Sequence, residues 1–468
     1  MDFKDTLIEQ VQKFKPKLAY GLIEKEEDAK NLMVIYSEFE RETSYLIDTQ
    51  EKIINNQLND YIQKYREEFE QYLKIISEER QKYMTNGVCG LKNTGNTCFL
   101  NVILQCLNNE PSLNKFFCSN YFENALKRNI WENLMTNNPE MTDTGTIIIN
   151  EETINEEYIN KITYRLAELM KVMTSNNKVI IPTSLDKLIR EKNVLFEARQ
   201  QQDCQELLNF IIDSVHEEIK YKYDKVEHRI NTFFSNKLDE NHKLYELNKD
   251  LISYWGNYAK NNYSIITEYL SGIYTTYVVC CNCNKLKQKY EPFTTLQLSM
   301  PENEDQGYDI GELLKNYSAM ESLSQDNQYF CDTCNQNQDA EKYSFISLCP
   351  RILIIQLKRF KYDIKTQNLV KIQTEINFPF NDLHLNDIID HHCNVNYLNN
   401  NRGLKYNLCS IVKHVGSNLQ SGHYVCYCKN TVNSMWYKYN DEYVSYIEPE
   451  QIIEETKQDS YILFYHLE

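Results

Sequence analysis

Glycine and proline are scarce, 12 and 9 in 468 residues, which leaves no room for long flexible linkers. Basic residues are in deficit, 50 against 67 acidic, for a net charge of −17. That argues against a nucleic-acid binder living on counterion release and suits a partner with a basic surface. No apolar run approaches the roughly 20 residues of a membrane span; the densest, residues 351–357, reads as a buried strand. The opening Met1-Asp2-Phe3-Lys4-Asp5 lacks the basic and apolar segments of a secretory signal. Fifteen cysteines, about 3% of the chain, fall far short of a secreted disulfide scaffold. Odd in number and unevenly clustered, they read as reduced thiols plus special sites. The expectation is a soluble intracellular protein, cytoplasmic or nuclear, with no membrane span and no nucleic-acid partner. Apolar residues at 42% and charged residues at 25% are ordinary globular values, which excludes a mostly disordered or fibrous chain.

From Leu22 to Asn86 there is neither Gly nor Pro over 65 residues. Leu58, Ile62, Tyr65, Phe69, Leu73 and Ile76 recur at helical spacing, with Lys, Glu, Gln and Arg between them. The pattern predicts two or three long helices, as a hairpin or a coiled-coil-like bundle. Such a region is a packing or spacer element, or a module through which the chain dimerises or a protein partner docks; the pattern leaves these open. At Gly87 the texture changes. Helical periodicity marks residues 101–107, 157–173 and 205–220, and from Tyr274 short β-rich runs take over, including 274–279 and 351–357. Helices first and strands later mean an α+β fold, divided into residues 1–86 and 87–468. The Asn- and acid-rich stretches 130–160 and 388–403 are expected to be surface loops.

Three patterns carry chemistry. In Gly90-Leu91-Lys92-Asn93-Thr94-Gly95-Asn96-Thr97-Cys98, a Gly/Asn-rich turn runs into a cysteine at the start of an amphipathic helix. The helix dipole favours a nucleophilic thiolate there, and backbone N–H groups with the Asn93 amide are placed to meet an oxyanion. Read alone, such a cysteine is usually a small buried residue. The second pattern joins His414, Ser421-Gly422-His423-Tyr424-Val425 and Trp436-Tyr437-Lys438-Tyr439-Asn440-Asp441. It offers an imidazole to move the thiol proton and, on the next strand of a hairpin, a group to orient the ring through its Nδ1. The third pairs Cys280 and Cys283 with Cys331 and Cys334, with 47 residues between the pairs. Four thiolates at that spacing suit a tetrahedral, structural Zn²⁺, and Cys281 is the spare.

The segment 90–101 resembles the cysteine box of the ubiquitin-specific proteases, papain-like cysteine peptidases that release ubiquitin from proteins. Phe99, Leu100 and Val102 depart mildly from that family's usual residues. The block from His414 to Asp441 looks like its histidine box, and the resemblance extends from Gly87 to Tyr465. It implies a papain-like thumb, palm and zinc-bearing fingers preceded by a helical N-terminal region. It assigns Cys98 as nucleophile, Asn93 to the oxyanion, His423 as base and Asn440 as its orienting partner. Asp441 is the neighbour that could share that role, and His414 is structural. Gln201-Gln202-Asp203-Cys204-Gln205-Glu206 resembles the motif before the thumb helix, where acids hold the arginines of the ubiquitin tail. Without that resemblance, Asp203 and Glu206 are simply acids at a helix start. With it, Asp203, Glu206 and Tyr424 become the substrate-binding candidates, and the loop 416–422 is expected to border the cleft and move to admit the tail. The implied activity is thiol-dependent hydrolysis of the isopeptide or peptide bond after the Gly-Gly terminus of ubiquitin, with ubiquitin and ubiquitinated proteins as partners. The alternatives are a catalytically impaired ubiquitin-binding protein and a peptidase for another ubiquitin-like modifier.

Overall fold

Side chains alternate along the strands of a central sheet, and both faces are buried. The architecture comes from a computed structural model describing residues 87–119, 121–137, 151–197, 200–221, 240–301, 306–363, 368–390, 404–418 and 421–468. The expected N-terminal helices lie outside the described residues. Strand β9 (Ile352–Lys358) shows the alternation clearly. Ile352 and Ile354 enter one core while Leu353, Ile355 and Leu357 enter the other, the period of two that a pleated strand imposes.

Seven strands of this sheet run in the order β17 (Tyr443–Tyr446), β16 (Trp436–Asn440), β15 (Ser421–Lys429), β14 (Lys405–Asn418), β18 (Ser460–Leu467), β9 and β3 (Thr295–Ser299). An eighth, β13 (Leu383–His384), pairs with β14. Only the β3–β9 pair is parallel. One face is covered by the thumb helices α1 (Cys98–Asn109), α2 (Pro111–Cys118), α3 (Glu123–Asn137), α4 (Glu151–Ile159), α5 (Ile162–Ser175), α6 (Thr183–Lys192) and α7 (Cys204–Ile219). Helix α1 is buried along its whole length, so its polar residues need internal partners. Asn101 Nδ2 donates to Leu91 O at 3.1 Å and Gln105 Nε2 to Cys89 O at 2.7 Å.

After α7 come α8 (Glu240–Asn261) and α9 (Ile265–Tyr269), and then the fingers. These form a second sheet in the order β2 (Leu286–Phe293), β1 (Gly272–Cys280), β8 (Ala340–Leu348), β5 (Glu321–Leu323), with a hairpin of β6 (Tyr329–Cys331) and β7 (Gln336–Gln338). Helices α10 (Ile310–Ser318) and α11 (Pro449–Thr456) pack on the second face of the palm sheet. Two short pairs complete the fold, β10 (Phe360–Asp363) with β11 (Asn368–Lys371) and β4 (Tyr308–Asp309) with β12 (Ile376–Asn377).

Three sequence expectations need correction. The run 157–173 is two helices, with α4 ending at Ile159 and α5 starting at Ile162. The stretch 130–160 contains the end of α3 and all of α4, because the few apolar anchors, Ile130, Ile154 and Tyr158, suffice to pin helices to the core. Residues 388–390 are buried rather than looped out, with Ile389 bridging to Ile346. Among the described residues no helix is long and apolar enough to cross a membrane.

Candidate active site

Cys98 is the first residue of α1 and is 1% exposed. The chain reaches it through Gly95 (φ 112°) and Asn96 (φ 53°), left-handed conformations that Gly and Asn tolerate best. Asn93 staples this turn: its Oδ1 accepts the N–H groups of Gly95 at 3.0 Å and Thr97 at 3.1 Å. Its Nδ2 donates to Asp441 Oδ2 at 2.9 Å, and the other Asp441 oxygen accepts Asn101 Nδ2 at 2.7 Å. The Leu91 N–H also donates to Asp441 O at 2.9 Å. This docking requires a glycine at 90, because a Cβ there would lie 2.3 Å from Glu442 O.

His423 lies near the start of β15 with Nε2 2.6 Å from Asn440 Oδ1, whereas Asp441 Oδ2 is 3.9 Å away. The ring therefore presents Nε2 to the amide, the reverse of the Nδ1 contact expected from sequence, and leaves Nδ1 for Cys98. A hydrogen bond with Cys98 pushes His423 up to about 9, against the burial that favours its neutral form; the Asn440 bond adds to the rise. The chain leaves β16 at Asn440, and Asp441 enters the hairpin turn at φ 53°. That turn, rather than strand alternation, carries the Asp441 carboxylate over to the start of α1.

His414 packs against Gly422, next to His423. It is fully buried, and burial pulls it down to about 4, so it is neutral near pH 7. Its ring meets Phe360 and Tyr424 edge-on at 5.2 and 4.8 Å, and a Cβ on Gly422 would collide with its Nε2 at 2.3 Å. Tyr424 is fully buried too, on the helix-facing side of β15 with Cys426 and Cys428. It cannot offer a surface to substrate, and its reading as a substrate-binding residue is corrected to one of packing.

Asp203 serves as the N-cap of α7, accepting Gln205 N–H at 2.8 Å with one oxygen and the Tyr461 hydroxyl at 2.7 Å with the other. Glu206, one turn on, is exposed. Sequence reasoning missed two further roles. The Asp441 grip on Asn93 and Asn101 joins segments 348 positions apart, which no local pattern signals. Gln201 Nε2 donates to Gly422 O, so a thumb residue reaches the strand carrying His423; the Gln201-Gln202 pair ahead of the helix cap was its only mark.

At the tip of the fingers, Cys280, Cys283, Cys331 and Cys334 bring their Sγ atoms within 4.8 Å of one another, while Cys281 points outward and is exposed. Sγ separations of 3.9 Å (Cys280–Cys334) and 3.6 Å (Cys283–Cys331) bracket the ~3.8 Å that metal–sulfur bonds of about 2.3 Å give around a tetrahedral ion. Each knuckle closes the same way. Asn284 (φ 55°) donates to Cys280 O at 2.9 Å, and Asn335 (φ 52°) to Cys331 O at 2.7 Å. Backbone N–H groups of Cys334 and Thr333 pull Cys331 down to about 6, towards the thiolate that a metal needs. The donor set fits one metal ion.

The family model described as "Ubiquitin carboxyl-terminal hydrolase" matches residues 89–465. The chain is 27% identical over 441 residues to a probable ubiquitin carboxyl-terminal hydrolase of Acanthamoeba polyphaga mimivirus, covering 81% of this chain and 90% of that one. It is 28% identical over 395 residues to ubiquitin carboxyl-terminal hydrolase 3 of Homo sapiens, covering 81% and 68%. Among solved structures, the SAGA DUB module bound to ubiquitin aldehyde superposes with a TM-score of 0.54 at 24% identity, covering 82% of this chain and 70% of that one. At that identity the likeness speaks for the fold.

Proposed function

The chain belongs to the ubiquitin carboxyl-terminal hydrolase family, and from that premise we propose that Cys98, His423 and Asn440 carry its reaction. It is a thiol-dependent deubiquitinase. Residues 87–468 are the catalytic unit, and the bond cut is the isopeptide or peptide bond after the Gly-Gly terminus of ubiquitin. The observation that carries this reading is the His423 ring held between Cys98 and the Asn440 amide. An imidazole beside the thiol can take its proton as the sulfur attacks, the chemistry of such peptidases.

The Cys98 thiolate attacks the carbonyl carbon, and His423 delivers its proton to the departing lysine amine. The ring, now neutral, takes a proton from water as that water hydrolyses the thioester. Asn440 accepts the Nε2–H and keeps the ring facing Cys98. Asn93 uses one amide hydrogen on Asp441, leaving the other, with the Cys98 backbone N–H at the open start of α1, for the oxyanion. Glu206 is the accessible acid for the basic ubiquitin tail, with Asp203 behind it at the helix cap. Zinc is the ion we assign to the four fingers cysteines. With four thiolates it would keep no open position, so it would stiffen the fingers rather than activate water. The reduced thiols suit an intracellular setting.

The test is ubiquitin bearing a C-terminal electrophile. We expect a covalent adduct on Cys98, lost in Cys98→Ala, and weaker reaction with the matching probes of other ubiquitin-like modifiers. Labelling at another cysteine, or equal labelling by every modifier, would overturn the reading.

A further inference from the structure

Three thiols meet in the dry core where no step of the proposed reaction uses them. Cys106 lies on α1, eight residues beyond Cys98, and Cys426 and Cys428 alternate on β15, sharing the face that packs on α1. All three Sγ atoms lie within 4.8 Å of one another, and all three residues are fully buried. Burial pushes Cys106 and Cys426 well above the ordinary thiol range. Cys428 is also opposed by burial, but bonds from Cys106, Cys426 and the Ser410 hydroxyl draw it down. Ser410 stands directly opposite Cys428 in the β14–β15 register, fully buried, its hydroxyl without an oxygen or nitrogen partner. A solitary buried cysteine packs as a small apolar residue. Three sulfurs facing one another, with the Ser410 hydroxyl against one of them, make a ligand set.

We propose that Cys106, Cys426 and Cys428 form a binding site for a soft trivalent metalloid, arsenic(III) supplied as arsenite. Softness follows from the all-sulfur donors, and the valence follows from charge. Three thiolates around a divalent ion leave one net negative charge, and around monovalent copper two. The neighbouring charge that acts on Cys426 is the carboxylate of Asp441, also negative. An uncompensated ion in a dry core is costly, whereas a trivalent centre with three thiolates is neutral. It also takes a three-coordinate pyramid and needs no fourth ligand. The reaction balances without redox change: As(OH)3 and three S–H groups give As(SR)3 and three waters. Three As–O and three S–H bonds break, three As–S bonds form, and each sulfur proton leaves on a hydroxyl. Entry needs local opening of the core, so uptake is slow. Once bound, arsenic ties the helix that starts at Cys98 to the strand that carries His423.

The test uses the full, reduced, zinc-loaded chain, incubated with sodium arsenite and desalted, with arsenic and zinc measured in the same sample. We expect one arsenic per chain with zinc unchanged. Cys106→Ala and Cys428→Ala should each lower retention by at least the ~10-fold that even outer-shell changes cost a metal site. Cys409→Ala, a buried thiol outside the trio, should leave it intact. Absence of arsenic from the wild type, retention unchanged in both variants, or arsenic gained with matching zinc loss overturns the proposal. So does a second zinc taken up from zinc alone and lost in Cys106→Ala. X-ray absorption of the arsenic-loaded wild type, independent of whether the variants fold, must show three sulfur neighbours; fewer overturns it.

Discussion

Two residues next to each other, Asn440 and Asp441, hold different halves of the site, and kinetics can tell them apart. Asn440 touches the base, so Asn440→Ala should cut kcat about 10²-fold and move the alkaline limb of the pH–rate profile below pH 9, while Asn440→Asp should move it up. Asp441 touches Asn93 and Asn101, so Asp441→Ala should cost kcat/KM about 10²-fold through the oxyanion and lower that limb less than Asn440→Ala does. The two histidines also pull stability in opposite directions. His423 binds its proton more tightly in the folded chain, so its contribution is fully present below about pH 6.5 and lost as pH rises through about 9. His414 is the reverse: its contribution is present above pH 6.5 and lost as pH falls towards 4. Urea unfolding should therefore show an acid limb of up to about 3 kcal/mol that His414→Gln flattens.

The start of α7 is where the helix-cap reading and the tail-binding reading of the acids divide. Asp203→Ala removes a cap and the Tyr461 contact together, and should cost about 1 kcal/mol or more of stability. Glu206→Arg, at an exposed position, should leave stability unchanged and raise KM for ubiquitin substrates. Thermal melts beside steady-state kinetics separate the two. How much could be read in advance follows the same division between local and distant. The turn 90–98, the helices at 98 and 204 and the four zinc-type cysteines were legible because their signals are short-range. Tyr424 was misread because its burial depends on β15 meeting the thumb helices. The role of Asp441 stayed hidden because a left-handed turn after β16 overrides the alternation of a strand. The thiol trio had a mark, Cys426 and Cys428 two apart on a predicted strand, but its third member came from a helix more than three hundred positions earlier.

For the whole molecule, we expect the fingers and the catalytic core to be separable in function but joined in binding. Cys331→Ser should lower zinc content and melting temperature and weaken ubiquitin binding. A small thiol reagent should still reach Cys98 at the wild-type rate, since the nucleophile turn is held through the Asn93–Asp441 contact. Elemental analysis, calorimetry and alkylation kinetics check these outcomes together.

The position of β18 has a consequence for how the enzyme comes into being. It is the last strand of the palm to be synthesised, yet it lies inside the sheet between β14 and β9. Until it arrives, β3–β9 and β13–β17 are two unjoined leaves with exposed edges. Tyr461 to Tyr465 are all fully or nearly fully buried. At about 2 kcal/mol each, those five side chains rival the entire ~5–15 kcal/mol stability of a domain. A nascent chain thus carries Cys98, His423 and Asn440 before it holds them in a working arrangement, and we expect activity only once β18 has been made and has entered the sheet.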